Sequence, residues 1–272
     1  MTAPEWRQTT IAFPDPRTAE QAARMYLAPI LAEAAARHLI TTWFYVRKDN
    51  WRLRYLPATT SDADRYLTSQ FARLRHDRRI SAAVAGIYEP ETHAFGGTTA
   101  MDTAHRLWHH DSRHLLTRSS DHTPGRQREL SIMLCATMMR AAGLDWYEQG
   151  DVWARVANHR DPPQPALVDS LLNAARRLLT VDPASLTRHG APLASCHTLF
   201  EAYTSAGDTL RHLNQTGQLR RGLRATLAHH VIFTWNRRGI PGPHQAALAT
   251  AAKTVIFGPD PTHSTHTPGG NS

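Results

Sequence analysis

The spacing of apolar residues changes near Gly97, and this change limits the folds that the chain can adopt. Before it, short runs rich in β-branched and aromatic residues alternate with helical stretches. Strands are predicted over 7–13, 40–46, 51–56 and 80–88, and helices over 18–38 and 61–74. The sequence therefore predicts an α+β fold, in which an N-terminal mixed α/β layer with a small, mainly antiparallel sheet precedes a predominantly helical C-terminal part.

Beyond Gly97 the apolar residues recur at helical spacing almost throughout. Helices are predicted over 99–116, 124–142, 146–159, 165–179, 193–214, 219–237 and 243–257. Gly143, Gly190, Gly217 and Gly239 stand where these helices end, and Ser61 is a candidate N-cap for the helix that follows it. No linker divides the chain clearly, so residues 1–258 are predicted to form one domain, followed by a disordered tail over 259–272.

The charge of the chain is positive and comes from arginine. Lysine and arginine outnumber aspartate and glutamate by 31 to 23, and Lys48 and Lys253 are the only lysines. Such a surface suits anionic partners, although GC-rich codon usage also raises the arginine content. With no signal-peptide pattern and no long apolar run, we expect a cytoplasmic protein that does not enter a membrane.

Two arginines alternate along one predicted strand, in Trp51-Arg52-Leu53-Arg54-Tyr55. Because side chains alternate between the faces of a strand, Arg52 and Arg54 are expected on the same face. Neighbouring guanidiniums repel each other unless an anion or a carboxylate lies between them, so the pattern suits a carboxylate-binding site. The alternative from the residues alone is a solvated, inert pair.

A series of short motifs carries a family resemblance along nearly the whole chain, to about Gly258. In chain order they are Trp6-Arg7-Gln8, Trp43 to Lys48, Trp51 to Tyr55, Tyr88 to Glu91, Phe95-Gly96-Gly97, Met101-Asp102, Asp111-Ser112, Trp146 to Asp151, His229 to Phe233 and Asn236-Arg237. The series resembles the thiopeptide-type bacteriocin biosynthesis proteins. These are similar to the C-terminal, glutamate-eliminating domain of class I lanthipeptide dehydratases and to thiopeptide pyridine synthases.

The resemblance implies chemistry on a ribosomally made precursor peptide. A separate glutamylating dehydratase partner would transfer glutamate from glutamyl-tRNA to Ser or Thr. This chain, as a lyase, would then eliminate glutamate to give dehydroalanine or dehydrobutyrine. The alternatives are a formal [4+2] cycloaddition that forms a pyridine, and a non-catalytic peptide-binding or partner subunit. No cofactor and no direct tRNA binding are expected.

The resemblance also implies roles for particular residues. Arg52 and Arg54 match the strand arginines of the family, and Glu91 matches its acidic residue ahead of the Gly-Gly pair. These three and His230 are the catalytic candidates, because elimination needs a base and stabilisation of negative charge. The substrate-binding candidates are Glu89, His93, Thr234, Asn236 and Arg237.

Two positions depart from the pattern of the family. Ala94 stands where the nisin-type domain has an arginine, and Thr234 stands where eliminating relatives have a histidine. His230 lies four residues before Thr234, on the same face of the predicted helix, and is the expected replacement.

The histidine-rich segment from His105 to Asp111 offers an i,i+4 pair, His105 and His109. It lacks the intervening glutamate of a zinc protease and a third ligand, so no metal site is predicted. A group of basic residues is a weaker candidate for contact with tRNA, because no aromatic residues for base stacking accompany it. Its members are Arg211, His212, Arg220, Arg221 and Arg224.

Overall fold

The computed structural model describes residues 5–47, 50–117 and 124–258. It contains a four-stranded sheet in which every neighbouring pair of strands is antiparallel, in the order β2-β3-β1-β4. The strands are β1 (Arg7–Ala12), β2 (Ile40–Arg47), β3 (Trp51–Pro57) and β4 (Ala82–Gly86). Helices follow the sheet, so the predicted α+β class is confirmed. The predicted tail 259–272 lies outside the described residues.

One face of the sheet is covered by the N-terminal helices. They are α1 (Ala19–Ala22), a π-helical turn (Ala23–Leu27), α2 (Ala28–Ala36) and α3 (Thr60–His76). A single helix was predicted over 18–38; the π-turn interrupts it just before Pro29, which cannot donate the main-chain hydrogen bond of a regular α-helix. The prediction that Ser61 caps α3 is wrong, because the N-cap is Thr59, which forms no side-chain capping bond.

The rest of the described chain is helical. Its helices are α4 (Thr98–Thr117), α5 (Pro124–Ala141), α6 (Trp146–Asn158), α7 (Pro165–Thr180), α8 (Pro183–Thr187), α9 (His197–Gln215), α10 (Leu223–Arg237) and α11 (Gly242–Phe257). The short α8 was not predicted. Within the described ranges, no helix is both long and apolar enough to span a bilayer.

Helix α4 joins the sheet to the helical part. It packs against β2 on one side and against α9 and α10 on the other. Its polar side chains bind the outer edge of β2: Nδ1 of His109 lies 2.9 Å from the carbonyl oxygen of Trp43, and Oγ of Ser112 accepts a 3.3 Å hydrogen bond from the main-chain N–H of Tyr45. The main-chain groups at this sheet edge are therefore partly satisfied by side chains rather than by another strand.

A buried ionic cluster fixes α4 to α10. The carboxylate of Asp111 accepts a 2.8 Å bond from Nε of Arg237 and bonds of 2.9 and 2.7 Å from the two terminal nitrogens of Arg238, and all three side chains are fully buried. Burial opposes ionisation of Asp111, but the two guanidiniums outweigh it and lower its pKa to about 2. The carboxylate compensates two cations, so its loss would leave both uncompensated in the interior.

Substitution of this carboxylate should therefore destabilise the fold. We expect Asp111→Asn to lower the free energy of unfolding by about 3–5 kcal/mol, measured by urea denaturation. The Asp111 contribution should be complete above pH 4 and lost as the pH falls toward 2, because the folded pKa lies below the unfolded one. Asp169→Asn makes the same change on an exposed position of α7 and should alter stability by less than about 0.5 kcal/mol. Equal effects would contradict the proposed role of the cluster.

Candidate active site

The two arginines of β3 share one face of the sheet. Arg54 lies between Phe44 of β2 and Gln8 of β1, and Arg52 lies in the next row between Val46 and Thr10. The intervening Leu53 packs in the apolar core on the opposite face. We call the face that carries Arg52, Arg54, Gln8 and Thr10 the arginine face.

Arg54 is held in a buried position on this face. Its Nε donates a 2.9 Å hydrogen bond to Oε1 of Gln8, and its guanidinium lies 4.1 Å from the centre of the Tyr88 ring. Burial lowers the pKa of Arg54; Tyr88 and Glu91 oppose this shift, while the positive charge of Arg52 adds to it. The guanidinium stays charged, so Arg54 is a fixed cation in a site of low polarity.

Arg52 is less constrained than its neighbour. Its side chain is half-buried, and within the described part of the chain it forms no hydrogen bond and no ion pair. A guanidinium has five donors arranged to match a carboxylate, so this side chain is able to take an anionic ligand without first breaking an ion pair. The combination of one fixed and one unpaired cation is the main chemical feature of the arginine face.

A tyrosine and a histidine extend the site beneath Arg54. The hydroxyl of Tyr88 lies 2.9 Å from Nε2 of His105, and both side chains are buried. Burial, together with the charge of Arg54, lowers the pKa of His105 to about 4, so its imidazole is neutral at pH 7. His105 and His109 are the i,i+4 pair of the histidine-rich segment; Nε2 of His105 faces Tyr88, and Nδ1 of His109 faces the main chain of Trp43.

The acidic candidates lie on the segment between β4 and α4. Glu89, Glu91 and His93 are exposed. The charge of Glu91 acts on Arg54 and partly offsets the lowering of the Arg54 pKa by burial. The segment ends in a turn at Gly96 and Gly97, with φ of +90° and +114°, values that favour glycine.

The loop before α10 holds this segment in place. Nη1 of Arg221 donates a 2.9 Å hydrogen bond to the carbonyl oxygen of Ala94. The main-chain N–H of Arg220 donates a 2.8 Å hydrogen bond to the carbonyl oxygen of Gly96. A guanidinium therefore does lie beside Ala94, the position at which the arginine of the nisin-type domain is absent, but it comes from elsewhere in the chain.

His230 lies in the interior, behind aromatic side chains. Its ring is fully buried, and the ring centre lies 5.0 Å from that of Phe95. The ring centre of Trp108 lies 4.9 Å from Phe95 on one side and 4.9 Å from Phe44, on the arginine face, on the other. Neither ring nitrogen has a hydrogen-bond partner among the described residues. Burial, with the positive charges of Arg237 and His229, lowers the pKa of His230 to about 3. The structure does not bring this histidine to the arginine face.

The other candidates on α10 also take part in internal contacts. The hydroxyl of Thr234 is buried 2.9 Å from that of Tyr203, and Oδ1 of Asn236 accepts a 3.0 Å bond from Nε2 of Gln245. Arg237 is bound to Asp111. The structure thus groups Arg52, Arg54 and Glu91 and separates them from the candidates of α10.

The sequence matches a family of biosynthetic proteins that mature ribosomally made peptides. The family model for the C-terminal region of lantibiotic biosynthesis dehydratases matches residues 6–256, and the chain belongs to this family. No curated protein matches the sequence.

Solved structures with a similar fold have low sequence identity to this chain. They include the tRNA-dependent lantibiotic dehydratase MibB from Microbispora sp. 107891, with a TM-score of 0.65, 16% identity and 94% coverage of this chain but only 28% of its own length. TsrL has a TM-score of 0.60 and 15% identity, with coverage of 94% of this chain and 99% of its own. The pyridine synthase TbtD from thiomuracin biosynthesis has a TM-score of 0.50 and 14% identity, with coverage of 93% and 97%. At these identities the likeness shows the fold alone.

The burial of His230 predicts a pH-dependent loss of stability. An unfolded histidine takes up a proton near pH 6.5, whereas the folded one does so only near pH 3, so the free energy of unfolding falls as the pH decreases through this window. The slope from one such residue is at most about 1.4 kcal/mol per pH unit. We expect His230→Leu to reduce the slope between pH 6.5 and 4, measured by urea denaturation at each pH. Gln215→Leu, which removes no titratable group from an exposed position, should leave the slope unchanged; the same slope in His230→Leu and the wild type would contradict this account.

Proposed function

We propose that the protein eliminates glutamate from glutamylated Ser or Thr of a ribosomally made precursor peptide. In this reaction a base removes the proton from Cα, the electrons of the C–H bond form the Cα–Cβ double bond, and the Cβ–O bond breaks. Glutamate leaves with the electron pair of that bond, and dehydroalanine or dehydrobutyrine remains in the peptide. Negative charge develops on the peptide carbonyl and on the leaving carboxylate, so cations near both positions accelerate the reaction.

The observation that carries the proposal is the unpaired Arg52 beside the buried Arg54. The glutamyl adduct, transferred from glutamyl-tRNA, is joined to Ser or Thr through the ester of its α-carboxyl group and has a free side-chain carboxylate. Elimination releases the α-carboxyl group as a second carboxylate. Arg54, fixed by Gln8 and Tyr88, is preorganised for one anionic group. Arg52, which has no ion pair within the described ranges, is available for the other.

Glu91 is the proposed proton acceptor. It is exposed, and its charge acts on Arg54, so its carboxylate lies beside the proposed adduct rather than in the interior. His93 on the same segment and Glu89 are proposed to contact the peptide around the adduct. His230, with no exposed surface, would need the aromatic layer of Phe95 and Trp108 to move before it could act as a base.

A partner protein is part of this proposal. MibB is described as a tRNA-dependent lantibiotic dehydratase, and this chain spans 28% of its length. We propose that a glutamylating dehydratase partner modifies the precursor and that this chain acts on the glutamylated product. Two arginines of the basic group have other partners: Arg224 is paired with Glu148 and Asp151, at 2.5 and 2.6 Å, and Arg221 binds the main chain of Ala94. We therefore expect the partner, and not this chain, to bind tRNA.

A second candidate function is the formal [4+2] cycloaddition between two dehydroalanines. It is favoured by Ala94 and Thr234, the positions at which an arginine and a histidine of the eliminating relatives are absent. TbtD, a pyridine synthase of similar fold, is matched over 97% of its length. A dehydrated, thiazole-containing peptide would then lose its leader and water, whereas a glutamylated peptide would stay unchanged. A peptide that binds without any change of mass would indicate a non-catalytic subunit.

Substitution of the arginines tests the proposed chemistry. We expect Arg52→Ala and Arg54→Ala each to lower kcat/KM by about 100-fold or more, because each removes a cation that stabilises developing charge. The substrate is a glutamylated precursor peptide, and loss of glutamate is followed by intact-mass analysis. Arg52→Lys keeps the charge but not the paired donors and should recover only part of the rate. Arg65→Ala, at an exposed position on α3, is the control and should act as wild type; wild-type rates in both β3 variants would exclude the arginine face from the mechanism.

Substitution of Glu91 separates binding from proton transfer. Glu91→Gln keeps the size of the side chain but removes a base, so we expect kcat to fall by about 100-fold while the Kd for the glutamylated peptide changes by less than threefold. Glu33→Gln makes the same change at an exposed position on α2 and is the matched control, expected to act as wild type. An unchanged kcat in Glu91→Gln would show that another group accepts the proton.

A further inference from the structure

The two outer edges of the sheet are treated differently by the fold. At the β2 edge, His109 and Ser112 of α4 bind main-chain groups of Trp43 and Tyr45. At the other edge lies β4, which pairs with β1 on its inner side and with no second strand among the described residues. An edge strand with free main-chain groups is a template for another extended chain.

The β4 edge also lacks the features that usually prevent such pairing. The strand reads Ala-Ala-Val-Ala-Gly, with no charged residue and no proline. The side chain of Val84 is 59% exposed, and that of Ile87, just beyond the strand, is 87% exposed. Natural proteins normally protect an exposed edge with lysine, proline or a bulge, so an apolar open edge indicates either a binding surface or a risk of aggregation.

Both sides of the β4 edge are shaped to take the side chains of an added strand. On the side of α3 there is a groove of about 260 Å³ lined by Thr9, Thr68, Ala72, Arg75, Ala83 and Ala85, together with Phe71. On the other side the arginine face begins, because the row of Val46, Arg52 and Thr10 ends at Val84. The side chains of an extended peptide alternate between these two surfaces.

Charge favours an acidic peptide as the occupant. Arg75 in the groove is exposed and has no ion pair in the part of the chain that the structure describes, and Arg52 is unpaired in the same sense on the opposite surface. A strand of five residues is about 17 Å long. Pairing along it covers far less than the 1,200–2,000 Å² or so of a stable protein interface, which disfavours a second copy of this chain as the occupant.

We propose that the β4 edge binds an extended, carboxylate-bearing segment of the substrate peptide by strand addition. The inference deepens the proposed function, since it concerns how the same substrate is held. An added strand would lie three strand spacings, about 14 Å, from β3. Arg52 and a glutamyl group on the added strand would both stand on the arginine face, with β1 and β4 between their main chains. The main-chain hydrogen bonds give affinity that does not depend on the side chains of the peptide. The peptide side chains that face the groove or the arginine face determine which sequences bind.

A binding experiment tests strand addition without any turnover. The probe is a nine-residue peptide of alternating Glu and Val, and its matched control carries N-methyl groups on two neighbouring central residues, which removes a main-chain donor from each edge of the peptide. Neither peptide carries a glutamyl ester, so a failure of the elimination proposal would not affect the result. We expect N-methylation to raise the Kd at least tenfold. An equal Kd for the two peptides would overturn the proposal.

Two proline variants locate the binding to β4. Successive N–H groups of a strand alternate between its edges, so one of Val84→Pro and Ala85→Pro removes an outward N–H while the other breaks a bond to β1. The variant that removes the outward N–H should keep the wild-type Tm and bind the unmodified peptide at least tenfold more weakly. The variant that breaks a bond to β1 should have a lower Tm. Wild-type affinity in the variant with an unchanged Tm would overturn the proposal.

Hydrogen exchange gives a measurement that needs no variant. Addition of the unmodified peptide should slow exchange of the amides over 82–87 in the wild-type protein, and the N-methylated peptide should slow it less. Unchanged exchange at saturation would overturn the proposal. A concentration-dependent dimer of the free wild-type protein that protects the same amides would do so too, because the edge would then serve self-association.

Discussion

The carboxylate of Asp111 is the interaction on which the arrangement of sheet and helices depends. It sits on α4, binds Arg237 and Arg238 at the end of α10, and is fully buried. The same helix supplies His109 and Ser112 to the edge of β2. Because one helix carries both sets of contacts, the orientation of α10 and the position of the sheet are coupled through α4. Buried charges tolerate little displacement, since a lost partner leaves a charge in a medium of low polarity.

This coupling explains why the candidate residues fall into two groups. The aromatic side chains of Phe44, Trp108 and Phe95 fill the space between β2, α4 and the segment after β4, with ring centres about 5 Å apart. On one side of this layer lie the arginines of β3 and the exposed Glu91. On the other lies His230, fully buried and without hydrogen-bond partners among the described residues. An imidazole in such surroundings resists protonation, whereas a cation at the half-open arginine face can bind an anion.

The asymmetry of the sheet edges connects the site to the rest of the fold. Side chains of α4 occupy part of the β2 edge, so among the described strands β4 is the edge with more main-chain groups left for an extended peptide. That edge runs from α3 toward the segment that carries Glu91. A peptide added there would meet a cation on either surface, Arg75 in the groove and Arg52 on the arginine face. The proposed chemistry and the proposed mode of binding thus use neighbouring parts of the same small sheet.

The sequence by itself determined the elements and one part of the site. The strands, the major helices and the shared face of Arg52 and Arg54 follow from periods of 2 and 3.6 residues, which are local properties. The π-turn before Pro29 and the capping of α3 depend on details that periodicity does not carry. Helical spacing put His230 and Thr234 on one face of α10, but it did not show whether that face is buried or exposed. Only the tertiary structure decided that this face points inward, that Tyr88 meets His105 and that β4 has no second partner among the described strands, because these depend on packing between elements distant in the chain.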